Sequence, residues 1–302
     1  MILVLGSINA DLFFTVDHLP TPGETVLTPS VTLRPGGKGA NQAAAAARAG
    51  AETRFLGCVG DDAVADTVLG ALVESGCDVA GVTRRHGATG TAVVMVEASG
   101  ENQIVVARGA NGFVTADLLP AGMGAGTTLI CQMEIPPVET ERALVAAKGS
   151  GVRTVLNLAP AKPIADRALA VVDVLVVNEI EAVALASGAG TPLSLARMLA
   201  NRHNLTCVVT IGAQGAVAVE PNSTAWRVGA LAVEVVDTVG AGDAFVGVLA
   251  AALDSGADLP AALHRASVAA SLACMAEGAM TGLPNADAIK SRQPDLAPAT
   301  RM

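Results

Sequence analysis

Three clusters in the sequence combine residue types and spacings suited to handling phosphate. Asp237-Thr238-Val239-Gly240-Ala241-Gly242-Asp243-Ala244-Phe245 opens a long helix-like run of small residues, Phe245 to Leu253. The first amides of a helix lack internal acceptors, so Gly240 to Asp243 would aim several N–H groups at one point. That makes an anion hole suited to a transferring phosphoryl group. Asp243 stands beside the hole; the plainer alternative, a helix cap, is weakened by the small residues before it and by Asp237 six positions back. Gly36-Gly37-Lys38-Gly39-Ala40-Asn41 lies where a strand-like segment meets an alanine-rich helix. Consecutive glycines let backbone amides approach a ligand at a helix start, although a simple turn before a helix reads the same way. It is not a P-loop, because Gly39 follows Lys38 where Ser or Thr is required, and Gly6-Ser7-Ile8-Asn9 has too few glycines for a dinucleotide fingerprint. Asn178-Glu179-Ile180-Glu181 follows the apolar run Val174 to Val177. Asn178 and Glu181 share one face of a helix start. An amide and a carboxylate there suit a magnesium ion held largely through waters and phosphates, and an N-cap followed by a helix-favouring acid is the other reading.

The elements that must position these clusters read as short apolar strands alternating with alanine-rich helices. Strands are expected at Ile2–Leu5, Thr53–Val59, Thr128–Cys131, Thr154–Leu158, Val172–Val177 and Cys207–Ile211. Helices are expected at Gly39–Ala49, Ala63–Ser75, Pro137–Lys148, Glu179–Ala186 and Leu193–His203. This alternation predicts an α/β fold with a mainly parallel central sheet and helices on both faces. Two segments, about 12–34 and 90–108, break the rhythm as antiparallel-type strands, with turns at Pro20-Thr21-Pro22-Gly23 and Ala98-Ser99-Gly100-Glu101. They predict a small inserted β-sheet lid, discontinuous in sequence, on a single domain spanning 1–302. Beyond Pro284 the chain turns polar, and its last ~10 residues are expected to be poorly ordered.

Composition narrows the function classes. Of 302 residues, 51% are apolar and 16% charged, which supports a large core and excludes global disorder. A net charge of −9 argues against nucleic-acid and anionic-membrane partners. No apolar run reaches the ~20 residues of a spanning helix, and Met1 to Gly6 reads as a buried strand rather than a signal peptide. Cys58, Cys77, Cys131, Cys207 and Cys274 form no C-x-x-C pair, so a disulfide framework or zinc site is not expected and a cytoplasmic location is. His18, His86, His203 and His264 read as surface or turn residues, Trp226 as packing, and Cys274 and Met275 as lining the helix core.

Together the clusters resemble the ribokinase branch of the PfkB carbohydrate kinase family, over most of the chain. The likeness runs through Gly6-Ser7-Ile8-Asn9-Ala10-Asp11, Pro22-Gly23-Glu24-Thr25, Gly36 to Gln42 and Gly60-Asp61-Asp62. It continues through Asn157-Leu158-Ala159-Pro160-Ala161, Asn178 to Glu181 and Asp237 to Asp243. The run ending in Gly240-Ala241-Gly242-Asp243 is highly specific to the family. The resemblance implies an ATP-dependent kinase that phosphorylates the primary hydroxyl of a pentose, D-ribose first. The same chemistry on 2-deoxyribose, fructose, a sugar acid or a nucleoside is the alternative. So is a non-catalytic sugar- or nucleotide-binding protein on this fold. Scarce aromatics count against stacking a nucleoside base.

By motif, the resemblance assigns Asn9, Asp11, Gly37, Lys38, Asn41 and Glu134 to the sugar hydroxyls. Asp243 becomes the base and Gly240, Ala241 and Gly242 the anion hole. Asn178 and Glu181 organise Mg2+, and Thr210, Gly212 and Gly215, with Asn178 and Gly242, line the ATP site. The resemblance also implies a K+ site from Asp237 and the carbonyls of Val239, Ala273, Ala276 and Gly278. Here Gly282 stands where the family has a serine ligand, with Thr281 adjacent, so any potassium activation is expected to be weakened. Related lids pair, which implies a homodimer through the lid. Arg34 and Arg108, at the lid-to-body junctions, depart from the family's less basic residues. Solvated surface arginines are one reading, and contacts to an anionic group on a modified sugar the other.

Overall fold

In the computed structural model, which describes residues 1–97 and 101–302, strand residues divide alternately between two cores. Ile2 and Val4 face one core and Leu3 and Leu5 the other, and the alternation repeats at Val174 to Val177 and Ala216 to Val219. A strand buried on both faces must be apolar at every position, and this sequence meets that with Val, Leu and Ile rather than aromatics.

In chain order the elements begin with β1 (Ile2–Leu5), β2 (Asn9–Val16), β3 (Val31–Gly36), α1 (Lys38–Arg48), β4 (Thr53–Val59), α2 (Ala63–Glu74) and β5 (Asp78–Arg84). Then come β6 (Gly90–Glu97), β7 (Asn102–Ala107), β8 (Thr128–Cys131), α3 (Pro137–Gly149), β9 (Arg153–Asn157), α4 (Asp166–Leu169) and β10 (Val174–Asn178). The chain continues with α5 (Glu179–Ala186), α6 (Pro192–His203), β11 (Thr206–Thr210), β12 (Ala216–Val219), β13 (Ala225–Val228) and α7 (Ala241–Asp254). It ends with α8 (Leu259–Ala273), α9 (Ala286–Arg292) and β14 (Thr300–Arg301).

The large sheet runs β14-β13-β12-β11-β10-β9-β8-β1-β4-β5. It is parallel from β11 to β5 and antiparallel at β12 to β14. Helices α1, α2, α7, α8 and α9 cover one face and α3 to α6 the other. The order reverses at β1, which lies between β8 and β4, so a crevice opens beyond the carboxyl ends of β1 and β8. That switch point is where open α/β sheets bind ligands.

The small sheet runs β3-β2-β6-β7. Its outer pairs are antiparallel as expected, but the central β2–β6 pair is parallel, in register from Asn9 opposite Gly90 to Val16 opposite Glu97. Both strands leave the body in the same direction, which forces that polarity. The turn at 98–101 lies outside the described residues except for Glu101.

Several expectations need correction. The last ten residues are ordered, because β14 pairs with β13 and the Met302 N–H donates to the Ala225 carbonyl (2.9 Å). The sequence reading also missed β5, β12, β13, α4 and α9. His203 is buried in the last turn of α6, while His18 and His86 form surface pairs with Glu24 and Asp61. Trp226 packs against the core and donates Nε1–H to Glu220 (2.8 Å). Among the described residues no helix is long and apolar enough to cross a membrane.

Candidate active site

Packing between α1 and α7 builds the centre of the site. A Cβ on Gly247 would come within 2.5 Å of the Gln42 carbonyl and 2.6 Å of Ala45 Cβ, so the two helices approach as closely as small residues allow. That contact brings Asn41 and Gln42 of α1 to Asp243 in the first turn of α7. Asn41 Nδ2 donates to Asp243 Oδ2 and Gln42 Nε2 to Oδ1, each at 2.9 Å. Gln42 also donates to Asn157 Oδ1 (2.9 Å) and accepts from Gln132 Nε2 (2.7 Å). Asp243 is therefore not an idle cap. Its two oxygens are clamped by side chains anchored on α1, β8 and β9.

The turn ahead of α7 presents the amides. Gly240 adopts φ +81°, and a Cβ there would lie 2.7 Å from Ala279 Cα, so the position accepts only glycine. The Ala241 N–H turns back to the Thr238 carbonyl (3.3 Å). The Gly240, Gly242 and Asp243 N–H groups have no acceptor among the described residues, and the space in front of Gly242 is open. Of the amides expected to form an anion hole, that of Ala241 is thus engaged within the turn, and those of Gly240, Gly242 and Asp243 are the ones left without an acceptor among the described residues.

Asn9 and Asp11 sit at the start of β2, and Glu134 follows β8, so the switch point itself supplies them. Gly37, with φ +90°, lets the chain turn from β3 into α1 against Ile8 and Asn9. Glu134 Oε2 accepts from Ser7 Oγ (2.6 Å) and from the Lys38 N–H (3.0 Å). Asn111, which the sequence reading missed, holds Asn9. Its amide donates to Asn9 Oδ1 (2.8 Å) and to the Ile8 carbonyl (3.1 Å) and accepts from the Ile8 N–H (3.0 Å).

All six expected sugar residues and Asp243 line one cleft of about 780 Å³, roofed by Phe13, Ala92 and Val94 of the small sheet. Asp11 Oδ1 and Asn41 Oδ1 are buried there without partners. Burial, and then the charges of Glu134 and Asp243, raise the Asp11 pKa to about 7. Attraction to Asp243, and secondarily to Glu134 and Glu181, raises that of Lys38 despite its burial. A polyol fits this wall, because its hydroxyls donate to stranded oxygens.

On the other side of Asp243, Lys38, Asn157, Asn178, Glu181, Thr210 and Gly242 line a polar pocket of about 220 Å³. Asn178 and Glu181 form a capping box. The Glu181 N–H donates to Asn178 Oδ1 (2.8 Å) and the Asn178 N–H to Glu181 Oε2 (2.9 Å). The helix-cap reading is therefore the one the hydrogen bonds show, and both residues also line the polar pocket. Burial raises the Glu181 pKa.

Beyond lies an apolar cleft of about 570 Å³. Thr210, Gly212, Gly215 and Gly242 line it as expected, but its walls are Leu231, Val233, Phe245, Ala270 and Cys274. The sequence reading placed Cys274 in the helix core; it borders the cleft instead, and Met275 is exposed.

Asp237 organises the loop before α7, accepting from the Val239 and Gly278 N–H groups (each 2.9 Å). A Cβ on Gly282 would lie 2.8, 3.2 and 3.3 Å from the carbonyl oxygens of Gly278, Ala273 and Ala276. These three carbonyls approach one another beside Gly282, and that of Gly278 accepts from the Gly282 N–H (3.0 Å). Thr281 does not replace the missing serine, because its hydroxyl donates to the Glu277 carbonyl (2.7 Å). Arg34 stacks 4.6 Å over the Phe13 ring, pairs with Glu277 (2.9 Å) and lies 4.0 Å from Asp237. Its charge is answered within the protein, against the reading that it meets a substrate anion. Among the described residues no group of three or more His, Cys, Asp and Glu could hold a metal by itself.

The model of the pfkB family of carbohydrate kinases matches residues 1–286. The ribokinase of Bacillus subtilis is 37% identical over 295 residues, covering 96% of this chain and 98% of that protein. The deoxyribokinase of Salmonella typhi is 31% identical over 296 residues, 94% and 95% of the two chains. Among solved structures, ribokinase of Arabidopsis thaliana complexed with ribose and ATP superposes with a TM-score of 0.87 at 30% identity, covering 97% of this chain and 98% of that one.

Proposed function

The chain belongs to the pfkB family of carbohydrate kinases, and from that premise we propose that it transfers the γ-phosphoryl group of ATP to the 5-hydroxyl of D-ribose. The observation that carries this is Asp243, clamped by Asn41 and Gln42 where the polyol cleft, the small polar pocket and unpaired amides meet. Ribose lies against Asn9, Asp11, Lys38 and Glu134, with its 5-hydroxyl toward Asp243. Asp243 orients that hydroxyl and takes its proton as the phosphoryl group arrives. Phosphoryl transfer has a loose transition state, so alignment and charge stabilisation supply most of the rate. The Gly242 and Asp243 amides and the Lys38 ammonium answer charge on the transferring oxygens. Adenine fits the apolar cleft, and the small sheet excludes water that would otherwise hydrolyse ATP.

Magnesium, carried with the nucleotide, would supply charge neutralisation between the phosphates. Glu181 and Asn178 would hold it mainly through water, which suits their cap-constrained geometry. The converging carbonyls beside Asp237 fit a potassium ion. The small sheet leaves Ile104, Val105 and Val106 of its edge strand β7 exposed, an apolar edge that a second copy would cover in a lid-to-lid dimer.

An ADP-release assay over a sugar panel tests the reading. D-ribose should have the highest kcat/KM, ahead of 2-deoxy-D-ribose and fructose. A higher value for 2-deoxyribose would move the assignment toward the deoxyribokinase relative. Sugar or nucleotide binding with no turnover on any acceptor would leave a binding protein.

A further inference from the structure

A second cavity, of about 240 Å³, adjoins the sugar cleft on the side away from Asp243. Asn9, Val106 and Glu134 line both spaces, so they communicate, and Asp243 lines only the first. The cavity's remaining polar walls are Arg108, Asn111 and Lys162.

We propose that Arg108 and Lys162 form an oxyanion subsite, taking a carboxylate or phosphate next to the end of the acceptor opposite its reacting hydroxyl. The inference rests on the sugar-kinase reading above. Among the described residues the Arg108 guanidinium makes no hydrogen bond or ion pair, unlike Arg34 at the other junction, which Glu277 neutralises. Lys162 Nζ donates to the Met133 carbonyl (2.5 Å) and has no carboxylate partner. Burial, and then the nearby charge of Arg108, push the Lys162 pKa down against the opposing pull of the Glu134 carboxylate.

Glu134 lines the cavity as its one carboxylate and acts on Lys162 through its charge, without a direct ion pair to either cation among the described residues. Glu134 Oε2 is spent on Ser7 and the Lys38 N–H, and the Asn111 amide is committed to Ile8 and Asn9. In a chain of net charge −9, a pocket that sets two cations against one carboxylate is a local exception. A guanidinium presents two parallel N–H groups to a planar carboxylate or a phosphate, and the adjacent ammonium adds a point charge. A sugar acid could place its primary hydroxyl at Asp243 and its carboxylate in this cavity. A free anion seated beside a neutral sugar presents the same chemistry.

Kinetics on D-ribonate and D-ribose, with sulfate as the separate anion, distinguish these sources. For an attached anion, Arg108→Ala should lower the ribonate-to-ribose ratio of kcat/KM at least tenfold, mostly through the KM for ribonate. For a separate anion, sulfate should raise the melting temperature and lower the KM for ribose in the wild-type protein, and do neither in Arg108→Ala. Arg108 is exposed, so its replacement does not disturb packing. Identical ribonate-to-ribose ratios together with identical sulfate responses in the two proteins would overturn the subsite. Ribose turnover in that case would leave the kinase reading standing. An Arg108-dependent sulfate shift without ribose turnover would keep the subsite and remove the reading.

Discussion

The sugar cleft and the apolar cleft, on either side of the polar pocket at Asp243, are built on opposite principles. On the sugar side, charged and amide side chains are fixed by second partners. Gln42 ties Asp243 to Asn157 and Gln132, Asn111 holds Asn9, and Ser7 holds Glu134. On the other side, small apolar residues and backbone line the space, and Ser271 spends its hydroxyl on the Ser267 carbonyl (2.9 Å). One cleft selects by hydrogen-bond geometry and the other by shape. Losing one contact in the first strands a buried polar group, whereas a change in the second alters only fit.

The sharpest way to break this contrast is Asp243→Asn. It keeps the volume and removes the proton acceptor, so kcat should fall about 10³-fold, with the KM for ATP moving little. Equal loss in kcat and in nucleotide binding would mean that the two clefts are not separable.

Asp11→Asn comes next. The KM for ribose should rise about tenfold or more, consistent with the discrimination lost when a buried polar partner disappears. In the wild type this KM should also climb as pH falls below about 7, where Asp11 takes up its proton. The asparagine variant should flatten that dependence. Stability should move the opposite way. The folded-state pKa is raised above the unfolded 3.8, so the stability this group provides is full at low pH and lost as pH rises through about 7. Asp11→Asn should therefore melt higher than wild type at pH 8, and the gain should shrink as pH is lowered toward 4.

Ala270→Phe fills the apolar cleft and should raise the KM for ATP about tenfold while leaving that for ribose alone, in line with the loss of a few apolar contacts. A ribose KM that moved in parallel would dissolve the distinction between the clefts. The smallest expected effect is cationic. Replacing potassium with tetramethylammonium should lower turnover about two- to fivefold, a cost below 1 kcal/mol. Equal rates in the two salts would reject a working site beside Asp237.

The same contrast explains what could be read in advance. Lys38, Asn41 and Asp243 sit in glycine-rich clusters at helix starts that stood out by type and spacing, whereas Asn9, Asp11 and Glu134 came only through the family resemblance. Gln42 lay inside a recognised motif yet received no role, because its importance appears only when α7 packs against α1. Glu134 and Asn111 depend on β8 and β6 lying beside β1 and β2, pairings that no local pattern encodes. The walls of the apolar cleft are ordinary Ala, Val and Leu, indistinguishable in sequence from core. The strands β12 to β14 were missed for a related reason. They are short, and β14 is held by only two paired positions.

Asn9 and Asp11 are the first and third residues of β2, where the parallel seam of the small sheet leaves the body. A swing of that sheet would therefore carry with it two of the residues proposed to hold the acceptor. Grip and closure become a single mechanical stroke, as in a jaw whose teeth are cast with the handle.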